Sequence, residues 1–225
     1  MPSLREEFSG LLLDKKYADV LDKIRKNKGT VRTLTGLLYS EDDLVRWRAV
    51  TMFGILAEAE PEVVRPIIKR LLWFLNEESS TVGWGAAQAI GEIAYMNPEV
   101  AKDAIRVVVH FMDDEEVSLP ANRNTPLLAG SIWTIGRLAR KDPALAREMG
   151  ENLTAYLGDP DPEIRALTVW TLGEVGHIEA AGGIRGLTGD GSEVRLYRDE
   201  ELDRVTVGEL AEAALKKLSG IENTR

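Results

Sequence analysis

Apolar residues recur along this chain at helical spacing, and one stretch of them returns four times. The copies are VRWRAVTMFGILA (Val45–Ala57), VGWGAAQAIGEIA (Val82–Ala94), LLAGSIWTIGRLA (Leu127–Ala139) and IRALTVWTLGEVG (Ile164–Gly176). They align without gaps, and their starts are 37, 45 and 37 residues apart. Counted from the first residue of each copy, positions 1, 5, 8, 9 and 12 are mostly apolar or small. In the first copy these are Val45, Ala49, Met52, Phe53 and Leu56; in the fourth, Ile164, Thr168, Thr171, Leu172 and Val175. At the helical angle these positions share one face. A shorter apolar stretch and an acidic turn precede each copy: Val31–Leu38, Ile67–Leu75, Ala104–Met112 and Met149–Leu157. A fifth, Ile178–Leu187, precedes a weaker copy at Val207–Leu218. The pattern predicts helix–turn–helix units, and one such pair cannot bury its apolar face alone, so neighbours must stack.

Punctuation supports these boundaries. Thr125 before Pro126, and the pairs Asn97-Pro98, Asp142-Pro143 and Asp161-Pro162, read as helix starts. Between Ser192 and Gly208 the spacing changes. Val194 and Leu196, then Leu202, Val205 and Val207, suit strands near 193–198 and 202–206 about a turn at Arg198–Glu201. Thr206 and Glu209 form a capping box that starts the last helix near Val207. A continuous helix from Asp199 is the competing reading.

The motif V-R-x-x-A-x-x-x-L-G-x-[IL] after an acidic turn is read in Ile164–Val175 and more loosely in Val45–Leu56. It resembles the HEAT-like repeats of the phycobilisome-lyase type, over about residues 30–218. The resemblance implies an all-α, right-handed α-solenoid of about five HEAT-like helix pairs with a small C-terminal β-hairpin before the last helix. The expected organisation is a single domain, 1–225: capping helices over 1–29, four repeats over 30–177, and an atypical capping repeat over 178–225. Bilin lyases and assembly factors for cofactor-bearing proteins belong to that group, but no residue match here singles out lyase activity.

Composition narrows the function. No apolar run approaches the ~18 residues of a membrane span, and Glu6 and Glu7 stand where a signal peptide would be basic, so a cytoplasmic location is expected. The absence of cysteine removes disulfides and thiolate chemistry. The net charge of −9 argues against wrapping nucleic acid. Seven basic residues against Asp19 and Asp22 over 15–32 read as a solvated helix face or a docking patch for an acidic partner. His110 and His177 lie in different repeats, and no phosphate loop, calcium loop or nucleophile elbow is written. No catalytic residue, metal or cofactor is expected.

The tryptophans carry the candidate site. Trp47 and Trp84 occupy position 3, and Trp133 and Trp170 position 7, on one helix face nearly opposite the core stripe. They are read as the floor of a concave partner-binding groove with Arg48, Gln88, Glu92, Arg137, Glu174 and His177 around it; packing between repeats is the competing reading. On the groove reading, Trp84→Ala and Trp133→Ala leave the fold cooperative and weaken binding. Position 10 is glycine in every copy (Gly54, Gly91, Gly136, Gly173), which implies close approach of a neighbouring helix or a ligand. The segment 75–85 could meet an anion at a helix start, or simply cap that helix. The insertion over 113–124 presents Asn122, Arg123 and Asn124 as loop candidates. The leading expectation is a non-enzymatic interaction or scaffold module with a protein partner and no membrane. The alternatives are a groove enzyme resembling the HEAT-like DNA glycosylases, with Glu92 or Glu174 as its carboxylate, and a lyase or assembly factor.

Overall fold

The structure is a computed structural model that describes residues 2–75, 85–112 and 125–222. Its helices are α1 (Leu4–Leu13), α2 (Tyr17–Lys26), α3 (Val31–Leu37), α4 (Asp43–Ala59), α5 (Pro61–Leu75), α6 (Ala86–Met96) and α7 (Pro98–His110). There follow α8 (Thr125–Ala139), α9 (Pro143–Met149), α10 (Pro162–Val175), α11 (Ala181–Arg185) and α12 (Val207–Glu222). Two strands, β1 (Glu193–Arg198) and β2 (Glu201–Thr206), form a hairpin before α12. This is the expected α-solenoid architecture of helix pairs. The chain packs as two compact units, Met1–Arg106 with Asp199–Glu201, and Val107–Arg198 with Leu202–Arg225.

The core stripe behaves as its spacing requires. Val45, Ala49, Met52, Phe53 and Leu56 of α4 are all buried, and so are Ile164, Thr168, Thr171, Leu172 and Val175 of α10. The first and fourth copies each start on a carboxylate. Asp42 accepts from the N–H groups of Leu44 and Val45 at 2.8 and 3.1 Å, and Asp161 from that of Glu163 at 2.9 Å. The arginine at position 2 then ties the helix to its own turn. Arg46 Nη1 donates to the carbonyls of Ser40 and Glu41; Arg165 Nη1 donates to those of Asp159 and Pro160, at the same offsets of six and five residues. Arg165 also reaches Asp190 and Ser192, which secures the last turn of the chain's repeat region. The motif arginine is therefore a loop clamp.

The shorter helices differ from the expectation in two places. The stretch Met149–Leu157 is broken: α9 ends at Met149, and a 3₁₀ turn covers Leu153–Gly158. The break falls at Gly150, where a Cβ would sit 2.5 Å from Leu153 Cδ1, so Leu153 can fold back into the core only past a glycine. The stretch Ile178–Leu187 is likewise divided into a 3₁₀ turn, Ile178–Ala180, and the short α11.

The hairpin and capping box form as read. Asp199 and Glu200 both have positive φ, 49° and 65°, the signature of a two-residue type I′ turn. Glu209 N–H donates to Thr206 Oγ1 at 3.1 Å, and Thr206 N–H returns to Glu209 Oε2 at 2.7 Å. The backbone N–H and the hydroxyl of Thr206 hold the Glu209 carboxyl below its ordinary range. A glutamate in the left-handed region is strained where glycine would not be. Glu200→Gly is expected to raise stability by about 0.5–1 kcal/mol, read as a higher urea midpoint. A lower midpoint would mean that the side chain holds the turn.

Candidate functional site

The fold claims much of the expected groove for itself. Helices α8 and α10 are buried on nearly every side, not only along positions 1, 5, 8, 9 and 12. Trp133 is 2% exposed, and its indole N–H donates to the carbonyl of Tyr197 in β1 at 3.1 Å. Strand β1, with Leu196 and Tyr197 buried, thus covers the position-7 face of α8. Trp170 is 7% exposed and lies against Gly136 of α8. A Cβ on Gly136 would fall on Trp170 Cζ3 and come 2.6 Å from Thr171 Oγ1, which donates to the Ile132 carbonyl at 3.0 Å. The position-10 glycine is thus where one repeat's long helix meets the next. Gly54 against Glu92 and Met96, and Gly173 against Ala214, repeat the arrangement.

The other candidates divide similarly. Arg48 is buried, and its Nη1 donates to the carbonyls of Leu12 and Leu13, so it caps the C-terminus of α1. Gln88 is buried, and its Oε1 accepts from Gly85 N–H at 3.0 Å. This holds the start of α6, where Gly85 takes a φ of +81°. Glu92 is buried in contact range of Gly54. Trp47 and Arg137 are half-buried. His177 Nδ1 lies 3.4 Å from Glu179 Oε2. Trp84, the loop residues Asn122, Arg123 and Asn124, and most of the 75–85 segment lie outside the described residues.

Two of the expected residues, Trp170 and Glu174, do converge on a cleft. Helices α10 and α12 touch at Gly173 and Ala214, where a Cβ on the glycine would sit 2.9 Å from that of Ala214. Beside this contact a cleft of about 160 Å³ opens, lined by Trp170, Gly173, Leu210, Ala213 and Ala214. Three charged residues, Glu174, Arg198 and Lys217, complete its wall. Lys217 Nζ donates to Glu174 Oε2 at 2.6 Å, and Arg198 Nε to Asp203 Oδ2 at 2.8 Å. The sequence reading missed Arg198, Lys217 and the alanine pair as lining residues. The legible signal was Ala213-Ala214, two adjacent small residues in the last helix, as close approach to α10 requires.

The cleft is small and mostly apolar. Ligand pockets usually enclose roughly 300–1,000 Å³; this cleft matches a single side chain. Its floor is aromatic and aliphatic, and its rim carries two cations and one carboxylate already bonded to lysine. Among the described residues, no three His, Asp or Glu are placed to hold a metal ion. No helix among them is long and apolar enough to cross a membrane.

Residues 125–175 match the family model for a HEAT-like repeat, which spans the third copy and all but the last residue of the fourth. No curated protein matches the chain. Among solved structures, it is similar to an engineered protein from a structural genomics consortium, at 20% identity and a TM-score of 0.56, covering 96% of this chain and 87% of that one. It is also similar to computationally designed armadillo repeat proteins for modular peptide recognition, at 19% identity and a TM-score of 0.52, covering 95% and 91%. A designed armadillo repeat protein gives 20% identity, a TM-score of 0.50 and coverage of 96% and 91%. At these identities the likeness shows the fold, a helical repeat architecture of the HEAT and armadillo kind.

Proposed function

We propose that this chain is a non-enzymatic interaction scaffold, and that the cleft beside Trp170 receives one apolar side chain of a peptide or protein segment. The observation that carries the reading is the combination of size and lining: a one-residue cavity with an aromatic floor and a charged rim. An anchor side chain in such a pocket, surrounded by polar groups that orient the backbone, is how interaction hot spots are built. The designed armadillo proteins that share the architecture are directed at peptides, which supports the same use of the fold here.

The test is peptide selection by phage display against the whole chain, followed by binding of a selected peptide to wild type and to Ala213→Trp. Ala213 is exposed on the cleft wall, so the larger ring fills the cavity from its mouth and leaves the core alone. Binding is expected to weaken by at least about tenfold, equal to 1.4 kcal/mol, with an unchanged melting temperature. Undiminished binding to the filled variant would contradict the assignment, as would a selection that enriches nothing.

A further inference from the structure

The exposed face of α5 combines basic side chains with an exposed tryptophan. Its buried residues are Val63, Val64, Ile67, Ile68, Leu71, Phe74 and Leu75. The opposite face presents Arg65, Lys69, Arg70 and Trp73, all exposed. These positions fall at i, i+4, i+5 and i+8, which is one helical stripe. Trp73 is 58% exposed, the highest value among the exposed large apolar residues described, while Trp133 and Trp170 are buried. The Arg70 guanidinium lies 5.4 Å over the Phe74 ring, and the Trp73 ring tilts against the same phenyl at 5.5 Å. Phe74 in turn meets Tyr39 edge-on, so the aromatic side of the stripe is braced from within. Glu62 is the one acid on α5 and pairs with Arg65 at 3.0 Å.

We infer that this face of α5 docks an acidic protein segment carrying an apolar anchor for Trp73. Three cations against the single Glu62, beside an exposed tryptophan, leave this face net positive on a chain of net charge −9. That positive charge selects an anionic partner. The spacing specifies the segment further. Residues four apart on a helix are separated by about 6 Å along its axis. Alternate residues of an extended strand are about 6.6 Å apart on one side. An extended segment with acids at alternate positions and an apolar residue two further on therefore matches Arg65, Lys69 and Trp73 in register. A polyanion such as nucleic acid would meet only three cations on this face of a chain of net charge −9. The inference involves no residue of the Trp170 cleft and stands apart from the function proposed above.

The test uses a dye-labelled peptide, Glu-Ser-Glu-Ser-Phe-Ser-Glu-Ser-Glu, which presents the pattern in either direction, titrated by anisotropy with the whole chain. Saturable binding that weakens as salt rises is expected. The same peptide with glutamine for glutamate should bind at least about tenfold more weakly, and Lys69→Glu should cost a similar factor. Trp73→Ala should cost about thirtyfold or more, as a hot spot does. Ala213→Trp should leave this binding unchanged, which separates a failure here from a failure of the cleft reading. Both α5 side chains are exposed, so their variants should keep the wild-type melting curve. The inference is overturned if the glutamine peptide binds equally well, or if the α5 variants bind as wild type does. Absence of saturation up to about 1 mM, or tighter binding of a thymidine oligonucleotide or of phosphatidylserine vesicles, would overturn it too.

Discussion

Trp133→Ala is expected to destabilise the unit that holds residues 107–198 by about 3–5 kcal/mol. That is a large share of the roughly 5–15 kcal/mol that holds a typical domain together. The ring is 2% exposed, and its N–H bonds the Tyr197 carbonyl, so truncation opens a cavity and removes a bond to β1 together. The hairpin should loosen first, because β1 loses the contact that ties its carbonyl to α8. A urea titration followed by far-UV circular dichroism reads the total loss, and amide exchange in 193–206 reads the local one. Trp133→Phe keeps most of the volume and loses the N–H bond, so it should cost less, about 1–2 kcal/mol. A Trp133→Ala chain with the wild-type midpoint would put the ring on the surface, as the groove reading of the sequence requires.

The second large effect is one of sign. Replacing a helical glycine by alanine ordinarily gains up to about 1 kcal/mol. Gly10 in α1 has open space where a Cβ would stand, so Gly10→Ala should stabilise by roughly that amount. Gly136→Ala should do the reverse, because its methyl group would overlap Trp170 Cζ3 and crowd Thr171 Oγ1 at 2.6 Å. Neither neighbour can swing aside: the ring is buried, and the hydroxyl is bonded to the Ile132 carbonyl. Overpacking of this kind costs about 1–3 kcal/mol and is relieved only by separating α8 from α10. Differential scanning calorimetry of the two variants should show transitions moved in opposite directions. A stabilised Gly136→Ala chain would show that the repeats do not meet at position 10.

Much of the fold was legible because its signals are local. The core stripe Val45, Ala49, Met52, Phe53 and Leu56 follows from helical geometry alone. The change of spacing at Val194 and Leu196 and the Thr206–Glu209 box marked the hairpin and the final helix. The candidate site was harder to read because burial of the second face depends on what crosses it. From the sequence, Trp133 and Trp170 look alike at position 7, yet one is covered by Tyr197 of a strand 64 residues away and the other borders a cleft. One signal was available: no charged side chain occurs from Thr125 to Gly136, which already argues for a helix buried all round. Arg48 and Gln88 could not be separated from groove residues by pattern, since their capping partners are carbonyls and amides that no sequence motif marks.

Trp73 lies outside the repeat pattern for the same physical reason. It belongs to a first helix, outside the aligned copies, and its significance depends on the exposure of Arg65, Lys69 and Arg70 beside it. The stripe is visible in PEVVRPIIKRLLWFL once the helix is phased by its buried residues. The phasing comes from the packing of Val63, Ile67, Leu71 and Phe74.

The measurement that bears most directly on the scaffold reading is a ¹H–¹⁵N correlation titration of the whole chain with a peptide selected against it. Amide and indole shifts concentrated on Trp170, Gly173, Leu210, Ala213 and Lys217, and lost in Ala213→Trp, are the expected result. Shifts confined to residues away from α10 and α12, or unchanged by filling the cleft, would contradict it.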